Sequence, residues 1–366
     1  MIDDKEDIVP VVLWSMSIVY FVDGREGKLN LLEKIEDLFS AAGFSALIDR
    51  GSLVAVKAHF GELGNTRYIR PAFVSRVMEL VRARGGKPFL TDANTLSRGS
   101  RSNAVDHINT AIKNGFALGV PLIIADGLRG EDAVDVDIDG KHFGRVKIAG
   151  VAHRADGMIV LSHFKGHNLT GFGGALKNVG MGLGAVEGKR AMHSAIRPTV
   201  TEECIGCGTC VDLCEAGAIR LRPQARKQRA WIDLGTCSGC GRCVAGCPNN
   251  AIQLGKSNAE DLQERIAEYA CGALRGKRGH VGFFNFLLDI TPFCDCPSWS
   301  SPPFVKDIGI LASTDPVAID QASFDLVKEA VGYDPFERAH HVDPAVQLEH
   351  GEAMGLGERK YVIRTR

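Results

Sequence analysis

The sequence lacks an excess of charge of either sign. Its 366 residues include 43 Lys and Arg against 44 Asp and Glu, so the formal net charge is −1. A chain so nearly neutral produces no overall field that would attract nucleic acid or an anionic membrane, and neither partner is predicted. Hydrophobic residues make up 45% and charged residues 24%, which is usual for a globular protein. The length predicts two structural units.

The N-terminal region lacks the features of a secretory signal. Residues 1–7 are acidic, whereas the start of a signal peptide is basic. The apolar run 8–22 is broken by Ser15 and Ser17 and ends at Asp23, so it is too short to span a bilayer. It is typical of a buried strand instead.

The eleven cysteines lack the spread of a disulfide framework, because most of them are bunched at the spacing of metal ligands. Thiols used in this way need a reducing environment. We therefore predict a cytoplasmic location.

Strand-like apolar runs alternate with amphipathic helix-like runs over the first 195 residues. This order is typical of an α/β domain with a mostly parallel sheet. Residues 134–148 alternate with period two around an Asp-Gly turn, which predicts a β-hairpin. The predicted strands are residues 11–17, 53–58, 87–91, 121–125, 158–161 and 305–311, and the predicted helices are residues 29–42, 71–84, 102–114, 259–274 and 317–331.

The α/β pattern returns after a cysteine-rich segment, where the strand 305–311 leads through Ser-Thr-Asp-Pro into a capped helix. The cysteine-rich segment is therefore predicted to interrupt one host domain. We predict an α/β host in two parts, residues 1–198 and 257–366, with an inserted α+β ferredoxin-like domain at residues 199–256.

A C-x2-C-x2-C-x3-C motif occurs twice in the inserted segment, and the two copies align as an internal duplication. The second copy is followed by Pro248, whereas the first is followed by Glu215. Three thiolates from one tight loop suit three corners of a 4Fe-4S cube, and in two-cluster ferredoxins the fourth cysteine serves the other cluster. The predicted ligands are Cys204, Cys207, Cys210 and Cys247 for cluster one, and Cys237, Cys240, Cys243 and Cys214 for cluster two.

Two zinc sites are the alternative for these eight cysteines. Zinc commonly takes two C-x2-C pairs and does not require a third cysteine two residues further on. The full cluster spacing, present twice, favours two 4Fe-4S clusters.

Basic residues occur between the two motifs, where they either line a solvated hairpin edge or form a docking patch for an acidic redox partner. They are Arg220, Arg222, Arg226, Lys227 and Arg229. A second open question concerns residues 171–184, a glycine-rich run that matches no standard phosphate-binding loop. Its glycines permit close approach of backbone to a ligand, a cluster or a neighbouring helix.

Polar side chains follow three predicted strands, at the edge where open α/β sheets bind ligands. His59 and Glu62 follow residues 53–58, a Thr-Asp-Ala-Asn-Thr run follows residues 87–91, and His167 lies just beyond residues 158–161. Each of these segments also has a purely local interpretation as a hydrogen-bonded loop. Together they predict one pocket with His59, Glu62 and His167 as candidate catalytic residues.

Cys294 and Cys296 are separated by one residue in a proline-flanked segment. They are either buried, inert thiols or a third metal or redox site, to which His59, Glu62, His163 or His167 could contribute. The two thiols point to opposite faces if the segment is extended, so chelation by both requires a turn.

Taken together, these motifs resemble the iron–sulfur branch of the family called domain of unknown function 362, over about residues 50–330. The resemblance implies an α/β host with a ferredoxin insert and adds little about substrate. It is carried by His59-Phe-Gly-Glu62, Lys165-Gly-His167, Gly-Phe-Gly-Gly-Ala-Leu-Lys177-Asn178, the cysteine repeat, Cys294-Asp-Cys296, Asp307-Ile-Gly-Ile and Asp315-Pro-Val-Ala-Ile-Asp320.

Three functions follow from the sequence. The leading hypothesis is an oxidoreductase that passes single electrons through two 4Fe-4S clusters to or from a pocket in the host domain, with a redox partner protein or a small molecule as its substrate. The first alternative is an electron carrier without its own substrate site. The second is a non-redox, metal-dependent enzyme in which the clusters are structural.

Overall fold

The computed structural model describes residues 16–366, except residues 26, 97–98, 118 and 225–226. Most of the predicted strand 11–17 lies outside the described residues. The described strands are β1 (Ser17–Asp23), β2 (Leu53–Lys57), β3 (Lys87–Asp92), β4 (Leu122–Ile124), β5 (Ala133–Asp137), β6 (Arg145–Ala149), β7 (Gly157–His163), β8 (Lys165–His167), β9 (Gly171–Gly173), β10 (Thr199–Val200), β11 (Ile219–Gln224), β12 (Lys227–Ile232), β13 (Ile252–Gln253), β14 (Val281–Leu287), β15 (Gly309–Ser313) and β16 (Tyr361–Thr365).

The helices begin and end close to the predicted bounds in the first half of the chain. Among them, none in the described ranges is both long and apolar enough to cross a membrane. They are α1 (Leu31–Ala41), α2 (Pro71–Ala83), α3 (Ala104–Ala111), α4 (Gly150–Arg154), α5 (Ala175–Leu183), α6 (Val186–His193), α7 (Thr209–Asp212), α8 (Arg242–Ala245), α9 (Lys256–Leu274), α10 (Pro316–Val331), α11 (Pro335–His340) and α12 (Val346–Ala353), with a 3-10 turn at Phe44–Leu47 and a π turn at Ile112–Phe116.

One eight-stranded sheet organises the fold, in the order β16-β1-β15-β14-β7-β2-β3-β4. Its neighbours pair in parallel except where β15 meets β1 and β14. The predicted α/β class with a mostly parallel sheet is therefore confirmed. The chain builds outward from β2 to β3 and β4 on one side, and from β7 to β14 and β15 on the other. The strand order thus reverses between β2 and β7, the kind of position where open α/β sheets form a binding crevice.

Both faces of the sheet are covered, which explains why its central strands are apolar throughout. In β7 the side chains of Met158 and Val160 lie in one hydrophobic core, while those of Ile159 and Leu161 lie in the other. Alternate side chains of a strand point to opposite faces. A parallel sheet buried on both faces therefore needs a continuous apolar run rather than an alternating one.

The C-terminal part differs most from the sequence prediction. The strand expected at residues 305–311 is β15, Gly309–Ser313, and the region beyond α10 contains two further helices and the edge strand β16. The predicted helix 102–114 is α3 followed by the π turn, in which Gly115 takes a φ of 91° that ends the regular helix.

The cysteine-rich segment connects α6 to α9 and contributes no strand to the large sheet. It forms two small antiparallel pairs, β10 with β13 and β11 with β12, and two short helices, α7 and α8. The large sheet takes strands from both sides of this segment in the chain. The described basic residues between the two cysteine motifs lie in the β11–β12 hairpin. There, Arg229 pairs with Glu202 and Arg222 stacks on Trp231. Arg226 lies outside the described residues.

The glycine-rich run, residues 171–184, contains β9 and α5. One of its glycines allows α5 to pack closely against α9. A Cβ at Gly180 would lie 2.1 Å from the backbone oxygen of Ile266 in α9, far inside contact distance. The packing interpretation therefore holds at this position.

We expect Gly180→Ala to destabilise the protein by about 1–2 kcal/mol. Overpacking typically costs about 1–3 kcal/mol, and the better helix propensity of alanine offsets up to about 1 kcal/mol. Gly144→Ala is the matched control, because no atom lies within 4 Å of a Cβ there. Urea unfolding of the two variants measures the difference, and equal midpoints would contradict the packing argument.

Candidate functional site

Four adjacent parallel strands, β14, β7, β2 and β3, end at one edge of the sheet. The loops beyond these ends carry most of the polar residues singled out in the sequence. The loop after β14 returns across this edge, since the backbone N–H of Glu62 donates to the carbonyl of Asp295 at 3.0 Å. The site therefore lies at the β2/β7 reversal, where the topology opens a crevice.

His59 and Cys296 meet at this edge, although they are far apart in the chain. The Nε2 atom of His59 lies 3.5 Å from the Cys296 sulfur, and its Nδ1 accepts the backbone N–H of Gly61 at 3.1 Å. The guanidinium of Arg101 lies 2.9 Å from the same Nε2 and adds positive charge next to it.

Cys294 and Cys296 lie in an irregular segment between β14 and β15. A hydrogen bond from the Cys294 thiol lowers the pKa of Cys296 well below its usual range, and His59 and Arg101 lower that pKa further. The same bond raises the pKa of Cys294. Both residues are half-buried.

Asp295, between the two cysteines, points the other way and fixes the segment to β7. Its carboxylate accepts from His163 Nδ1 at 2.9 Å and lies 3.4 Å from the Lys165 ammonium. Burial would raise the pKa of Asp295, but Lys165 and His163 bring it far below the ordinary value. The second ring nitrogen of His163 lies 3.2 Å from the carbonyl of Asp289, so both nitrogens are engaged by the protein.

Glu62, a candidate catalytic residue, holds Arg101 in position. Its carboxylate accepts the backbone N–H of Ser100 at 2.6 Å and the Nε–H of Arg101 at 3.1 Å. Burial would raise the pKa of Glu62, yet Arg101 and Ser100 lower it. A carboxylate engaged in this way positions the guanidinium next to His59 and is not available as a proton donor.

A buried ion pair lies under the site. The ammonium of Lys57, fully buried at the end of β2, is 3.0 Å from Asp92 at the end of β3 and donates to Asn178 at 2.7 Å. Burial lowers the pKa of Lys57 despite its partner. Burial would raise the pKa of Asp92, but Lys57 and His107 hold it well below the usual carboxyl range.

His167 lies on the side of the site that faces the cysteine repeats. Its Nδ1 lies 3.0 Å from the Thr170 hydroxyl oxygen and accepts the backbone N–H of Leu169 at 3.3 Å. Burial lowers its pKa well below the ordinary value, Lys177 lowers it further, and the Cys296 thiolate acts in the opposite sense. His167 is therefore neutral and within electrostatic reach of Cys296.

The eight repeat cysteines separate into two groups of four. One small void has four cysteines in its wall, Cys204, Cys207, Cys210 and Cys247. Burial is the main cause that raises the pKa of Cys243 to about 12. The thiols that raise this pKa further are chiefly those of Cys240, Cys237 and Cys214. Each group thus contains three cysteines of one motif and the fourth cysteine of the other.

Backbone N–H groups point at the cysteine sulfurs with the symmetry of the sequence repeat. Ala218 N–H donates to Cys214 at 3.3 Å, and Ala251 N–H donates to Cys247 at 3.2 Å. Hydrogen bonds to sulfur stabilise the negative charge of bound thiolates and help set cluster potentials. This donor set fits a 4Fe-4S cluster.

The spacing of the sulfurs bears on the zinc alternative. Four sulfurs around one zinc lie about 3.8 Å apart, given Zn–S bonds of about 2.3 Å in a tetrahedron. Among the described residues, the group of three or more metal-binding atoms within 4.8 Å of one another is His142, Asp261 and Glu264. No three of the eight repeat cysteines, all of which the structure describes, meet that limit.

The second cysteine motif packs on the host domain beside the site. A Cβ at Gly239 would lie 2.3 Å from the carbonyl of His193, and one at Gly241 would lie 3.0 Å from the side chain of Leu169. The Nδ1 of His193 contacts the carbonyl of Gly239 at 3.1 Å. Burial lowers the pKa of His193 to about 4, and the Cys296 thiolate is among the groups that act on it. Cluster-motif backbone and site residues are therefore neighbours.

The structure thus brings together His59, Glu62 and Cys296, with His167 at the side that faces the repeats. A ligand-sized cavity shared by them stays a prediction. Sequence reasoning missed Arg101 and Lys57. The position of Lys57 at the end of an apolar strand was the available signal, because a lysine there is buried and needs a partner.

The family model described as Domain of unknown function (DUF362) matches residues 54–325. The chain belongs to this family. The DUF362 match includes all of β2 but its first residue, both cysteine motifs, the Cys294–Cys296 segment and β15. It therefore contains every residue of the site described above.

No curated protein matches the chain. Among solved structures, the lactate racemase apoprotein from Thermoanaerobacterium thermosaccharolyticum is similar with a TM-score of 0.39 and 11% identity over 74% of this chain. A protein from Thermotoga maritima is similar with a TM-score of 0.39 and 12% identity over 87% of this chain. The chain covers 51% and 60% of those two structures. Neither likeness bears on the chemistry of this chain.

Proposed function

We propose that this DUF362 protein binds two 4Fe-4S clusters and exchanges single electrons between them and the site around Cys296. The observation that carries the proposal is the division of the eight repeat cysteines into two groups of four, spaced more widely than ligands of a single ion. We also propose that residues 199–256 are a ferredoxin-like insertion between host parts 1–198 and 257–366, in a reducing, cytoplasmic environment.

The cluster ligands in this proposal follow the exchanged pattern. Cys204, Cys207, Cys210 and Cys247 hold cluster one, and Cys237, Cys240, Cys243 and Cys214 hold cluster two. When bound, each cluster supplies a one-electron redox couple. The chain contributes the sulfur ligands, the N–H donors to sulfur and a low-polarity wall of residues such as Ile219 and Ala230.

The contact between the second motif and the host favours an oxidoreductase with its own site over a carrier. Gly239 touches His193, and Gly241 approaches Leu169, whose backbone N–H donates to His167 of the site. An electron carrier that only docks partners needs no such contact. His59, Glu62 and His167 remain the candidate catalytic residues, with Glu62 acting through Arg101.

A third metal at Cys294 and Cys296, the alternative raised by the sequence, stays a prediction. Within the described part of the chain, no group of three donors that includes either cysteine lies within single-ion distance. His163, a candidate third ligand, has both ring nitrogens engaged by Asp295 and Asp289.

Metal and sulfide analysis of anaerobically purified protein tests the proposal. We expect about eight irons and eight acid-labile sulfides per chain, as two 4Fe-4S clusters require. Reduction should give the electron paramagnetic resonance signal of 4Fe-4S clusters at about two spins per chain. Two zinc ions without labile sulfide would overturn the proposal. Clusters that never exchange electrons with an added disulfide or other oxidant at the site would favour the electron-carrier function.

A further inference from the structure

We infer that one side of the β11–β12 hairpin docks an acidic protein that carries single electrons, and that electrons enter the chain there through cluster one. The inference rests on the proposed function for the clusters themselves. It decides between the two interpretations that the sequence left open for the basic residues between the cysteine motifs. The docking face consists of four side chains, those of Arg220, Arg222, Arg229 and Trp231.

The hairpin has two unlike sides, because alternate side chains of a strand point in opposite directions. On one side, Leu221 and Ala230 line the void whose wall contains the cysteines of the first motif. The other side carries the docking face in two cross-strand pairs, Arg220 with Trp231 and Arg222 with Arg229. Three of these four residues are exposed, and Arg229 is partly buried. The face is therefore open to a partner.

The two cysteine motifs pack on different parts of the chain through equivalent glycines. A Cβ at Gly206 of the first motif would lie 2.5 Å from the carbonyl oxygen of Gln228 in β12. A Cβ at Gly239, the equivalent position of the second motif, would lie 2.3 Å from the carbonyl oxygen of His193 in α6. The hairpin thus packs on the first motif as the host packs on the second. A partner seated on the hairpin meets cluster one first, and cluster two is the one next to the host site.

The docking face has more positive charge than the chain itself neutralises. Within the described part of the chain, Glu202 pairs with Arg229 at 2.9 Å, and no other carboxylate forms an ion pair with this face. Arg222 instead stacks on Trp231, with its guanidinium carbon 3.5 Å from the ring centroid. Arginine and tryptophan are the residues that contribute most to protein interfaces. Two unpaired guanidiniums beside an exposed indole are complementary to a partner with surface carboxylates.

The hairpin backbone connects the docking face to a cluster ligand. The N–H of Ala230 donates to the sulfur of Cys204 at 3.4 Å, and Trp231 is the next residue in the chain. A carrier in contact with the indole is therefore separated from that sulfur by a single strand. On contact, the carrier is oxidised by one electron and cluster one is reduced by one. No bond forms or breaks in this step, and no proton is transferred.

An acidic protein fits this face better than a small molecule or a nucleic acid does. Four side chains in register on two strands offer an extended contact surface rather than a pocket. Electron-transfer proteins form small, weak interfaces, for which a face of this size is sufficient. A single-stranded nucleic acid could also stack on the indole, but it would bring no electron to the cluster beneath.

Reduced flavodoxin, an acidic protein that donates single electrons, is the probe for the docking face. We expect Arg220→Glu/Arg222→Glu to slow its reduction of the clusters by about tenfold or more at low salt, because electrostatic attraction speeds association. Stopped-flow absorption of the anaerobic holoprotein measures this rate. Reduction by the 5-deazaflavin radical, a small donor that needs no docking face, should be unchanged. Arg129→Glu/Arg278→Glu is the matched control, since both residues are exposed outside the hairpin, and it should behave as the unmodified protein.

Calorimetric titration with oxidised flavodoxin gives a second readout that involves no electron transfer. We expect weak binding by the unmodified holoprotein and by the control variant. The affinity should fall steeply between about 50 and 300 mM salt, as screening predicts. Binding should be lost in Arg220→Glu/Arg222→Glu. Equal affinity in that variant, or no binding of flavodoxin by the unmodified holoprotein, would overturn the docking face.

Removal of one cluster at a time tests where electrons enter. Cys204→Ala/Cys247→Ala, which should lack cluster one, should accept electrons from the deazaflavin radical but at least about tenfold more slowly from flavodoxin. Cys237→Ala/Cys243→Ala, which should lack cluster two, should still take one electron from flavodoxin. The opposite pattern would overturn entry through cluster one.

The remaining outcomes separate this inference from the proposed function. Absence of iron and labile sulfide overturns the proposed function, whereas full clusters with equal flavodoxin rates in both charge variants overturn the docking face alone. A polythymidine 20-mer is the probe for a nucleic-acid partner. If it binds more tightly than flavodoxin and loses its affinity in Arg220→Glu/Arg222→Glu, the face belongs to a nucleic acid and the acidic carrier is the wrong partner.

Discussion

Alanine at both Cys204 and Cys247 should leave one intact 4Fe-4S cluster per chain, whereas alanine at Cys204 and Cys214 should leave none. The first pair of substitutions removes two ligands from the same void, whose wall contains Cys207 and Cys210 as well. The second pair removes one ligand from each group, since Cys214 is among the thiols acting on Cys243. The two variants carry the same number of substitutions. They differ only in whether both substitutions fall in one group of four cysteines or one falls in each group.

Spin counting on the reduced proteins distinguishes the two outcomes, at about one and about zero 4Fe-4S spins per chain. Iron analysis provides the second measurement, with about four irons expected in Cys204→Ala/Cys247→Ala. The reverse pattern would mean that each motif keeps its own fourth cysteine. Cys271→Ala is the control for thiol removal as such, and it should keep both clusters.

Lys57→Met should destabilise the protein by about 3–5 kcal/mol, the usual loss when one partner of a buried ion pair is removed. Asp92 would remain buried without its closest cation, and Asn178 would lose the donor at 2.7 Å. The loss should be largest at neutral pH, where Asp92 is ionised. It should shrink in acid, because the Asp92 pKa rises once Lys57 is gone and protonation then removes the unpaired charge.

Lys141→Met is the matched control for this experiment. Lys141 pairs with Glu264 at 2.8 Å, but its side chain is 60% exposed. Exposed pairs contribute about 0–1 kcal/mol, so we expect a small change that depends little on pH. Urea unfolding at two pH values measures both variants. Equal losses in the two would show that the Lys57–Asp92 pair is not held in a buried, weakly screened environment.

Local patterns were sufficient to predict the parallel part of the sheet. The strand ending at Lys57 and the helix beginning at Pro71 are specified by an apolar run and by a residue suited to a first turn. His59 could be placed at the ligand-binding edge because it directly follows a strand. The predicted assignment of the cysteines to two clusters rests on the spacing of the motif and stays a prediction.

Contacts across the chain could not be predicted in this way. Arg101 lies nine residues beyond the end of β3, and nothing in its neighbourhood indicates that it is buried against His59 and Glu62. Likewise, no local signal indicates that Asp295 contacts His163 while Cys296 contacts His59. Such choices depend on the tertiary arrangement of loops, where burial requires each charge to find a partner.

The position of β1 in the sheet determines the order in which the chain can be completed. β1 lies between β15 and β16, so both of its neighbours are translated long after it. Until residue 313 has left the ribosome, β1 has no strand to pair with, while the four strands β7, β2, β3 and β4 already can. The eight repeat cysteines emerge during this interval, beside a half-built sheet. In the proposed function, the clusters would then assemble while β1 still lacks both of its partner strands.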